Sequence, residues 1–336
     1  MTSEGCCGEQ YPERRRRKGK MESMEKKVYA LVGPTCTYKS SIAIELAKKY
    51  PFEIISADSR LIYKGMDIGT SKPTAEERSL AVHHLIDVAE PDFNYSVALY
   101  KKEAESKISE VFSKGKIPLF VGGTGLYLNS VLLGLSIPEV KPDFSFRKQL
   151  RGFTQEELYE NLKNLDPKAC EIIHRNDNFR TIRALEVIYK TNKLFSRLRV
   201  LQEPPYRIFW LGLKYDDREL HAEKITERTE RFCNNDFISE ARALLDKYGE
   251  LELFRSSIGY KEAMDFLKKK SDKRKMIEEI ILHTRQLAKR QITWFKANKK
   301  INWVVLDRLS YDDSFKRVFN LIEEGSLAKT SMVSIS

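Results

Sequence analysis

A lysine and a serine, Lys39 and Ser40, close a short loop that follows an apolar run at 28–32 and precedes a helical pattern. A strand, a tight turn and a helix N-terminus ending in Lys-Ser can bind phosphate, because loop N–H groups, the helix dipole and the ammonium all attract an anion. The serine hydroxyl can also hold Mg²⁺. The sequence therefore predicts an anion site in this loop, with Ser40 as the ligand of the metal. The site comprises Gly33, Pro34, Thr35, Cys36, Thr37, Tyr38, Lys39 and Ser40.

The loop departs from the G-x-x-x-x-G-K-[ST] pattern at Tyr38, where the second glycine belongs. Glycine tolerates a positive φ at such a position, whereas a bulky residue adopts it at a cost of about 1–3 kcal/mol. We therefore expect either a shifted loop or a ring that points outward, and a weaker anion site in both cases. On this expectation Tyr38→Gly would tighten anion binding.

Two more polar segments follow apolar runs that are typical of strands. Residues 56–60 read Ser-Ala-Asp-Ser-Arg, and residues 121–127 read Val-Gly-Gly-Thr-Gly-Leu-Tyr. The carboxyl ends of parallel strands share one edge of a sheet, so both segments should face the phosphate loop. Asp58 could coordinate Mg²⁺ or act as a general base, although a turn or cap residue is an equally good interpretation. The glycine-rich segment alone is more typical of a close-packing turn.

The order of strand and helix patterns predicts an α/β fold: a P-loop-type parallel sheet flanked by helices, with a helical insertion. Prolines bracket the insertion, which we place at 137–205. The predicted catalytic core then comprises 27–136 and 206–310, between a disordered leader at 1–26 and a C-terminal tail at 311–336. The leader carries four consecutive arginines at 14–17, which we interpret as solvated charge rather than a nucleic-acid or targeting arm.

Composition narrows the class of protein. The 336 residues carry a net charge of +11, which favours a polyanionic partner. No apolar run is long enough to span a membrane, so no membrane association is expected. The five cysteines are odd in number and scattered, which favours a reduced, cytoplasmic protein.

Three clusters of polar residues leave their roles open. Arg180 and Arg183 share a predicted helix face, either to contact phosphates or as surface charge bonded to Asp177 or Glu186. A basic and aromatic stripe suits a nucleic-acid backbone, although a solvated helix would look similar. The stripe comprises Gln286, Lys289, Arg290 and Trp294. For the neighbours His83 and His84 we prefer a buried, hydrogen-bonded histidine to direct catalysis.

These segments, in the order in which they occur between about residues 28 and 307, resemble the bacterial type of the tRNA dimethylallyltransferase (tRNA isopentenyltransferase) family. The resemblance rests on the phosphate loop, the two segments at 56–60 and 121–127, and five more. The five lie at 63–73 (Tyr-Lys-Gly-Met-Asp-Ile-Gly-Thr-Ser-Lys-Pro), 83–87 (His-His-Leu-Ile-Asp), 176–187 (Asn-Asp, Arg180 and Arg-Ala-Leu-Glu-Val), 258–260 (Ile-Gly-Tyr) and 284–294 (Thr-Arg-Gln-Leu-Ala-Lys-Arg-Gln-Ile-Thr-Trp).

The resemblance implies transfer of a dimethylallyl group from dimethylallyl diphosphate to the exocyclic amine of the adenosine adjacent to the anticodon of a tRNA. It implies Asp58 as the proton acceptor, with Thr124 and Arg228 also catalytic. The phosphate loop and Mg²⁺ would hold the diphosphate. The flipped adenosine would contact Asp58, Ser59, Arg60, Leu61 and Thr124, and the anticodon stem-loop would contact Arg147, Arg180 and Arg183. A monomer is expected.

The chain departs from the family pattern at Tyr38, at Leu61 in place of glutamine, and at Asn192 and Asp236 in place of glycines. Two alternatives follow. One is a tRNA-binding member with impaired transfer, because Tyr38 disrupts the phosphate loop. The other is a P-loop kinase or NTPase that binds ATP, which would need a second acidic magnesium site, whereas the run at 117–121 ends in glycines.

Overall fold

The computed structural model describes residues 26–327, except 139, 199–200 and 235. The predicted leader therefore lies outside the described residues apart from Lys26, and so does the arginine run. Lys26 directly precedes the first strand, where its carbonyl accepts a hydrogen bond from the N–H of Arg207 at 2.9 Å.

The described residues form one sheet of six parallel strands in the order β3-β2-β4-β1-β5-β6. Five of the six strands were expected from apolar runs in the sequence, and the parallel α/β fold is confirmed. The strands are β1 Lys27–Val32, β2 Phe52–Ser56, β3 His83–His84, β4 Ile117–Gly122, β5 Arg207–Lys214 and β6 Asn302–Val305.

Fifteen α-helices accompany the sheet in the described residues. Those before the insertion are α1 Lys39–Lys49, α2 Ala75–Leu80, α3 Val97–Ser113 and α4 Gly125–Leu132. Those between 137 and 205 are α5 Phe144–Gln149, α6 Gln155–Leu165, α7 Pro167–Cys170, α8 Asn178–Thr191 and α9 Phe195–Leu198. The rest are α10 Arg218–Asn234, α11 Phe237–Tyr248, α12 Glu252–Arg255, α13 Tyr260–Leu267, α14 Lys273–Lys296 and α15 Tyr311–Leu327. None of these helices is long and apolar enough to cross a membrane.

The central strand β1 shows how both faces of the sheet are covered. Val28, Ala30 and Val32 belong to a core that includes buried residues of α3, α4, α10, α11, α13 and α14. Tyr29 and Leu31, on the opposite face, belong to a second core with α1 and α15. Alternation along β1 places one set of side chains on each face, as a sheet buried on both sides requires.

The prediction of a C-terminal tail from 311 is wrong over the described part of that segment. Helix α15 packs on the second face of the sheet through Ser314, Val318 and Ile322, which are almost fully buried. Their spacing of four residues places them on one helix face, so the stripe was present in the sequence. Residues 328–336 lie outside the described residues.

The helices between 137 and 205 have a hydrophobic core of their own. It is formed by buried residues that include Leu158 and Leu162 of α6 and Ala184 and Leu185 of α8. Thr154 caps the N-terminus of α6 in a capping box: its hydroxyl accepts from the N–H of Glu157, and the Glu157 carboxylate accepts from the Thr154 N–H. The helical character expected for this segment is therefore observed.

Candidate active site

The predicted phosphate loop connects β1 to α1 at the carboxyl edge of the sheet. Gly33 lies so close to β5 that a Cβ there would be 2.3 Å from the carbonyl oxygen of Leu213, so no larger residue fits. Cys36 and Tyr38 both have left-handed backbones, with φ of 62° and 58°. The buried Thr37 donates a hydrogen bond from Oγ1 to the Pro34 carbonyl at 2.8 Å. The loop therefore folds back on itself ahead of the helix N-terminus.

The ammonium of Lys39 lies against this loop. It donates to the Pro34 carbonyl and, at 3.3 Å, to Thr37 Oγ1. Burial lowers the pKa of Lys39 to about 8, while Asp58 opposes the shift by favouring the charged form. The cation is thus partly desolvated and surrounded by loop oxygens, from which it can turn to an anionic ligand.

Tyr38 has a left-handed backbone, the conformation that glycine adopts without strain, so the loop makes this turn despite the side chain. Its ring packs edge-on against Tyr311 of α15, with ring centroids 5.7 Å apart. Burial and a side-chain hydrogen bond with Tyr38 raise the pKa of Tyr215 well above its usual range. The ring therefore points outward to neighbouring tyrosines, which is the second of the two arrangements expected for Tyr38.

Substitutions at Tyr38 separate the backbone effect from that of the ring. We expect Tyr38→Gly to change affinity for inorganic diphosphate by less than about threefold, because the loop already has a glycine-like conformation. We expect Tyr38→Ala to lower the free energy of unfolding by about 1–2 kcal/mol, because alanine keeps the left-handed backbone and loses the ring contacts. Calorimetry and denaturant unfolding measure the two effects. Tenfold tighter binding by Tyr38→Gly would restore the damaged-loop explanation.

Arg228 reaches the phosphate loop from α10. Its Nε donates to Ser71 Oγ at 2.8 Å, and its Nη1 donates to Thr35 Oγ1 and lies 3.5 Å from Cys36 Sγ. The guanidinium therefore lies between the phosphate loop and the segment at 63–73. Together with Lys39, it gives this edge of the sheet two cations beside loop N–H groups.

The predicted catalytic carboxylate, Asp58, follows β2 directly. One of its oxygens accepts the Arg60 N–H at 2.8 Å, and its charge influences Lys39 across the site. The next residue, Ser59, donates its N–H to Thr124 Oγ1 at 3.1 Å. Thr124 in turn donates its N–H to the Ala57 carbonyl at 3.0 Å. The loops after β2 and β4 thus meet beside the phosphate loop, as expected for neighbouring parallel strands.

Arg60 and Leu61, predicted to contact the substrate base, also form hydrogen bonds with other segments of the protein. Nη2 of Arg60 donates to the carbonyl of Ser256 at 2.9 Å, and burial lowers the pKa of Arg60. The Leu61 carbonyl accepts the Asp87 N–H at 3.1 Å. Both residues therefore fix the segment that carries Asp58.

The two histidines at 83 and 84 have structural partners. Nε2 of the buried His84 lies 2.7 Å from a carboxylate oxygen of Glu53, and Nδ1 of His83 donates to the Ala81 carbonyl at 2.8 Å. The interpretation of a buried, hydrogen-bonded histidine therefore holds for His84.

The arginines of the insertion differ in how firmly the protein holds them. Glu186 is fully buried, and Arg147 binds it through two hydrogen bonds of 2.9 Å. Arg183 donates to the same carboxylate at 2.5 Å. Burial alone would raise the pKa of Glu186, but the hydrogen bonds from Arg147, from the Asp143 N–H and from Arg183 hold it at about 2. Arg180 is about half exposed and lies 3.3 Å from Asp177.

Helix α14 carries the predicted basic stripe and also enters the site. Gln286, Lys289 and Arg290 are exposed, whereas Trp294 is half-buried against the core. Gln291, which was not predicted, contacts the phosphate loop through the N–H of Thr35 at 2.9 Å. A helix whose exposed face is basic therefore also contacts the predicted phosphate loop.

His221 of α10 is a second site residue that was not predicted. Its Nε2 donates to the Thr35 carbonyl at 3.0 Å, and its ring stacks on Tyr215 with centroids 5.1 Å apart. Burial lowers the pKa of His221 and Lys39 adds to the shift, while the hydrogen bond to Thr35 opposes it. Thr35 is thus held through its carbonyl as well as its N–H and hydroxyl.

Two of the departures from the family pattern are accommodated by the backbone. Asn192 ends α8 with a left-handed φ of 53°, which asparagine tolerates better than most residues. Asp236 has φ of −72° and needs no glycine. Neither substitution strains the fold.

Comparison with known proteins decides the family. A family model described as IPP transferase matches residues 61–298, and one described as isopentenyl transferase matches residues 26–86. The chain belongs to the IPP transferase family. The resemblance predicted from the ordered motifs is thereby confirmed.

Named relatives agree with this assignment. A tRNA dimethylallyltransferase of Acaryochloris marina is 40% identical over 274 residues, which cover 81% of this chain and 90% of that protein. A tRNA dimethylallyltransferase of Gloeothece citriformis is 42% identical over 282 residues, covering 83% and 91%. The enzyme class predicted from the sequence is confirmed, and neither alternative is favoured.

Solved structures show the same architecture. The full-length tRNA isopentenylpyrophosphate transferase of Bacillus halodurans is 33% identical with a TM-score of 0.68, covering 93% of this chain and 100% of that chain. A eukaryotic dimethylallyltransferase acting on tRNA is 26% identical with a TM-score of 0.75, covering 91% and 80%. The IPP transferase fold therefore extends over most of this chain.

Proposed function

We propose that this IPP transferase moves a dimethylallyl group from dimethylallyl diphosphate to the exocyclic amine of the adenosine adjacent to the anticodon of a tRNA. One observation carries the proposal: Asp58 and Thr124 lie at the same edge of the sheet as a phosphate loop that Arg228 contacts. A proton acceptor beside an anion cradle suits a reaction in which an amine attacks and diphosphate leaves.

Binding of the leaving group would depend on the loop and two cations. Lys39 would turn from the Pro34 carbonyl to the diphosphate, and Arg228 would add a second positive charge from α10. Their effect is greatest when the bond to the allylic carbon breaks, because negative charge then builds on the diphosphate oxygens.

Mg²⁺ fits this arrangement as an ion shared between the protein and the diphosphate. No cluster of three His, Cys, Asp or Glu side chains in the described residues could hold a metal by itself. Mg²⁺ often takes one or two protein ligands and completes its shell with phosphate oxygens and water, so the Ser40 hydroxyl together with the diphosphate would suffice. A bound Mg²⁺ supplies charge that stabilises the leaving diphosphate.

Asp58 would accept the proton from the adenine amine. In this step the amine nitrogen forms a bond to the allylic carbon while the carbon–oxygen bond breaks, and the electron pair leaves with the diphosphate. The proton lost by the amine passes to the Asp58 carboxylate. The adenosine must leave the stacked loop to reach this position, so base flipping is expected.

The tRNA would bind along the basic face of α14 and at the helical insertion. Gln286, Lys289 and Arg290 are exposed on α14. In the insertion, Phe179 is 72% exposed, and the Arg147 guanidinium lies 5.9 Å from its ring centroid. An exposed aromatic ring beside a cation suits the stacking of an unpaired base and contact with phosphates.

Arg180 gives the sharper test of the insertion, because Arg183 also neutralises the buried Glu186. We expect Arg180→Ala to reduce the slope of log affinity against log salt concentration for tRNA by about one, without changing the rate at saturating tRNA. Filter binding across a salt series measures the slope. Lys163→Ala, an exposed lysine of α6, is the matched control. An unchanged slope in Arg180→Ala would leave that arginine a purely structural role.

Transfer itself can be tested with the full-length protein. We expect dimethylallyl diphosphate and an unmodified anticodon stem-loop to give a product that carries one five-carbon unit, as measured by nucleoside mass analysis. A stem-loop with guanosine in place of the target adenosine should remain unmodified. ATP consumption without any prenylated product would instead favour the P-loop kinase or NTPase.

We also propose that the protein acts as a cytoplasmic monomer, which sedimentation and cell fractionation would test.

A further inference from the structure

Gln291 lies on the inner side of α14, one residue after the exposed Arg290, and is half-buried. Its side chain reaches two loops that are far apart in the sequence. Oε1 accepts the N–H of Thr35 in the phosphate loop at 2.9 Å. Nε2 donates to the carbonyl of Gly123, in the loop after β4, at 3.1 Å.

The two partners define the orientation of this amide. A backbone N–H can only donate and a carbonyl can only accept, so the Gln291 oxygen must face Thr35 and its nitrogen must face Gly123. Glutamine satisfies both groups with one side chain. Glutamate could accept from Thr35 but could not donate to Gly123, and methionine could accept only weakly and could not donate.

Glycine at 123 makes room for the contact. A Cβ at that position would lie 2.2 Å from Nε2 of Gln291 and 3.3 Å from the Gly33 carbonyl oxygen. The loop after β4 therefore approaches both the phosphate loop and the α14 side chain at the same residue. This close approach accompanies the hydrogen bond from Nε2 and shows that only glycine at 123 leaves room for the Gln291 side chain.

The two loops carry different parts of the reaction. Thr35 also bonds Arg228, so it belongs to the side of the site assigned to the diphosphate. Gly123 directly precedes Thr124, whose hydroxyl accepts the N–H of Ser59 next to Asp58. A shift of one loop relative to the other would change the distance between the allylic carbon and the attacking amine.

We propose that Gln291 is a positioning residue that fixes the phosphate loop relative to the Thr124 loop, and so sets the alignment of the two substrates. The inference rests on the proposed prenyl transfer. His221 and Arg228 hold the carbonyl and hydroxyl of Thr35, but they extend from α10 and do not bond the Thr124 loop in the described residues. Gln291 joins both loops to the helix that carries the basic stripe.

A positioning role predicts loss of rate rather than loss of binding. Misplacement of reacting groups by about 1 Å can cost about a hundredfold in rate. We expect Gln291→Met, which keeps the length of the side chain, to lower single-turnover transfer by about 10- to 100-fold. The KM for dimethylallyl diphosphate and the Kd for the stem-loop should stay within about threefold of wild type.

Gln291→Glu and Thr293→Ala complete the test. Gln291→Glu keeps the contact with Thr35, so it should also lose rate if both ends of the amide are needed. Thr293 is exposed on the same helix and back-bonds to the Lys289 carbonyl, so Thr293→Ala should transfer at the wild-type rate. Denaturant unfolding of each variant separates misalignment from loss of fold.

The outcomes distinguish this inference from the proposed function. If wild type transfers no prenyl group, the function is wrong. If wild type transfers and Gln291→Met matches its rate, the positioning role is wrong. A rate loss that is confined to raised KM or Kd would also overturn it, since Gln291 would then act in binding. If Gln291→Met does not fold, full activity of Gln291→Glu would contradict the need for both contacts.

Discussion

Replacing Asp58 with alanine is expected to lower single-turnover transfer by about a hundredfold or more, while tRNA affinity stays nearly unchanged. The physical reason is that the carboxylate lies at the edge of the sheet beside the phosphate loop and is the proposed acceptor of the amine proton. Its loss leaves the attack without a positioned base. Rapid-quench assays of prenyl transfer at saturating substrates measure the effect.

Asp58→Asn refines this prediction. Asparagine keeps the oxygen that accepts the Arg60 N–H, so the loop after β2 should keep its conformation, yet it cannot take up a proton at neutral pH. Asp246→Asn, at an exposed position of α11, is the matched control. If Asp58→Asn transfers at the wild-type rate, Asp58 is a turn residue and the base is elsewhere.

Arg228→Gln is expected to lower the rate of transfer by about 10²- to 10³-fold, the usual effect of removing one donor to a developing anion. It should also raise the KM for dimethylallyl diphosphate, because Arg228 contacts the loop assigned to that substrate. Affinity for the stem-loop should not change. Steady-state kinetics with each substrate varied in turn measure the three quantities.

The controls for Arg228 separate charge from geometry. Arg231→Gln removes an exposed arginine one turn further along α10 and should leave transfer unchanged. Arg228→Lys keeps the charge but cannot reproduce the hydrogen bonds to both Ser71 and Thr35, so an intermediate rate is expected. Wild-type kinetics in Arg228→Gln would exclude this arginine from the diphosphate site.

Local patterns in the sequence predicted much of the site, because its loops follow strands directly. The phosphate loop, Asp58 and Thr124 each stand at the end of an apolar run, and parallel strands bring such ends together. Gln291 and His221 could not be found in this way. They are 256 and 186 positions from Thr35 along the chain, and a glutamine or a histidine on a helix gives no periodic signal of what it contacts.

For Arg183 and Tyr38 the sequence does not show which side chains they contact in the fold. Arg183 was equally consistent with a phosphate contact and with an intramolecular bond, and its hydrogen bond to the buried Glu186 now gives it a structural role. For Tyr38 either a shifted loop or an outward ring was expected; the ring points outward and packs against Tyr311 of α15. That contact was not foreseen because the segment from 311 was interpreted as a tail.

The most direct test of the proposed reaction is the identity of the modified atom. After incubation of wild type with Mg²⁺, dimethylallyl diphosphate and an unmodified anticodon stem-loop, the digested nucleosides can be analysed by tandem mass spectrometry. The proposal predicts adenosine with the five-carbon group on its exocyclic amine, formed by wild type and almost absent with Asp58→Ala. Unmodified adenosine, or a prenyl group attached at any other atom, would contradict it.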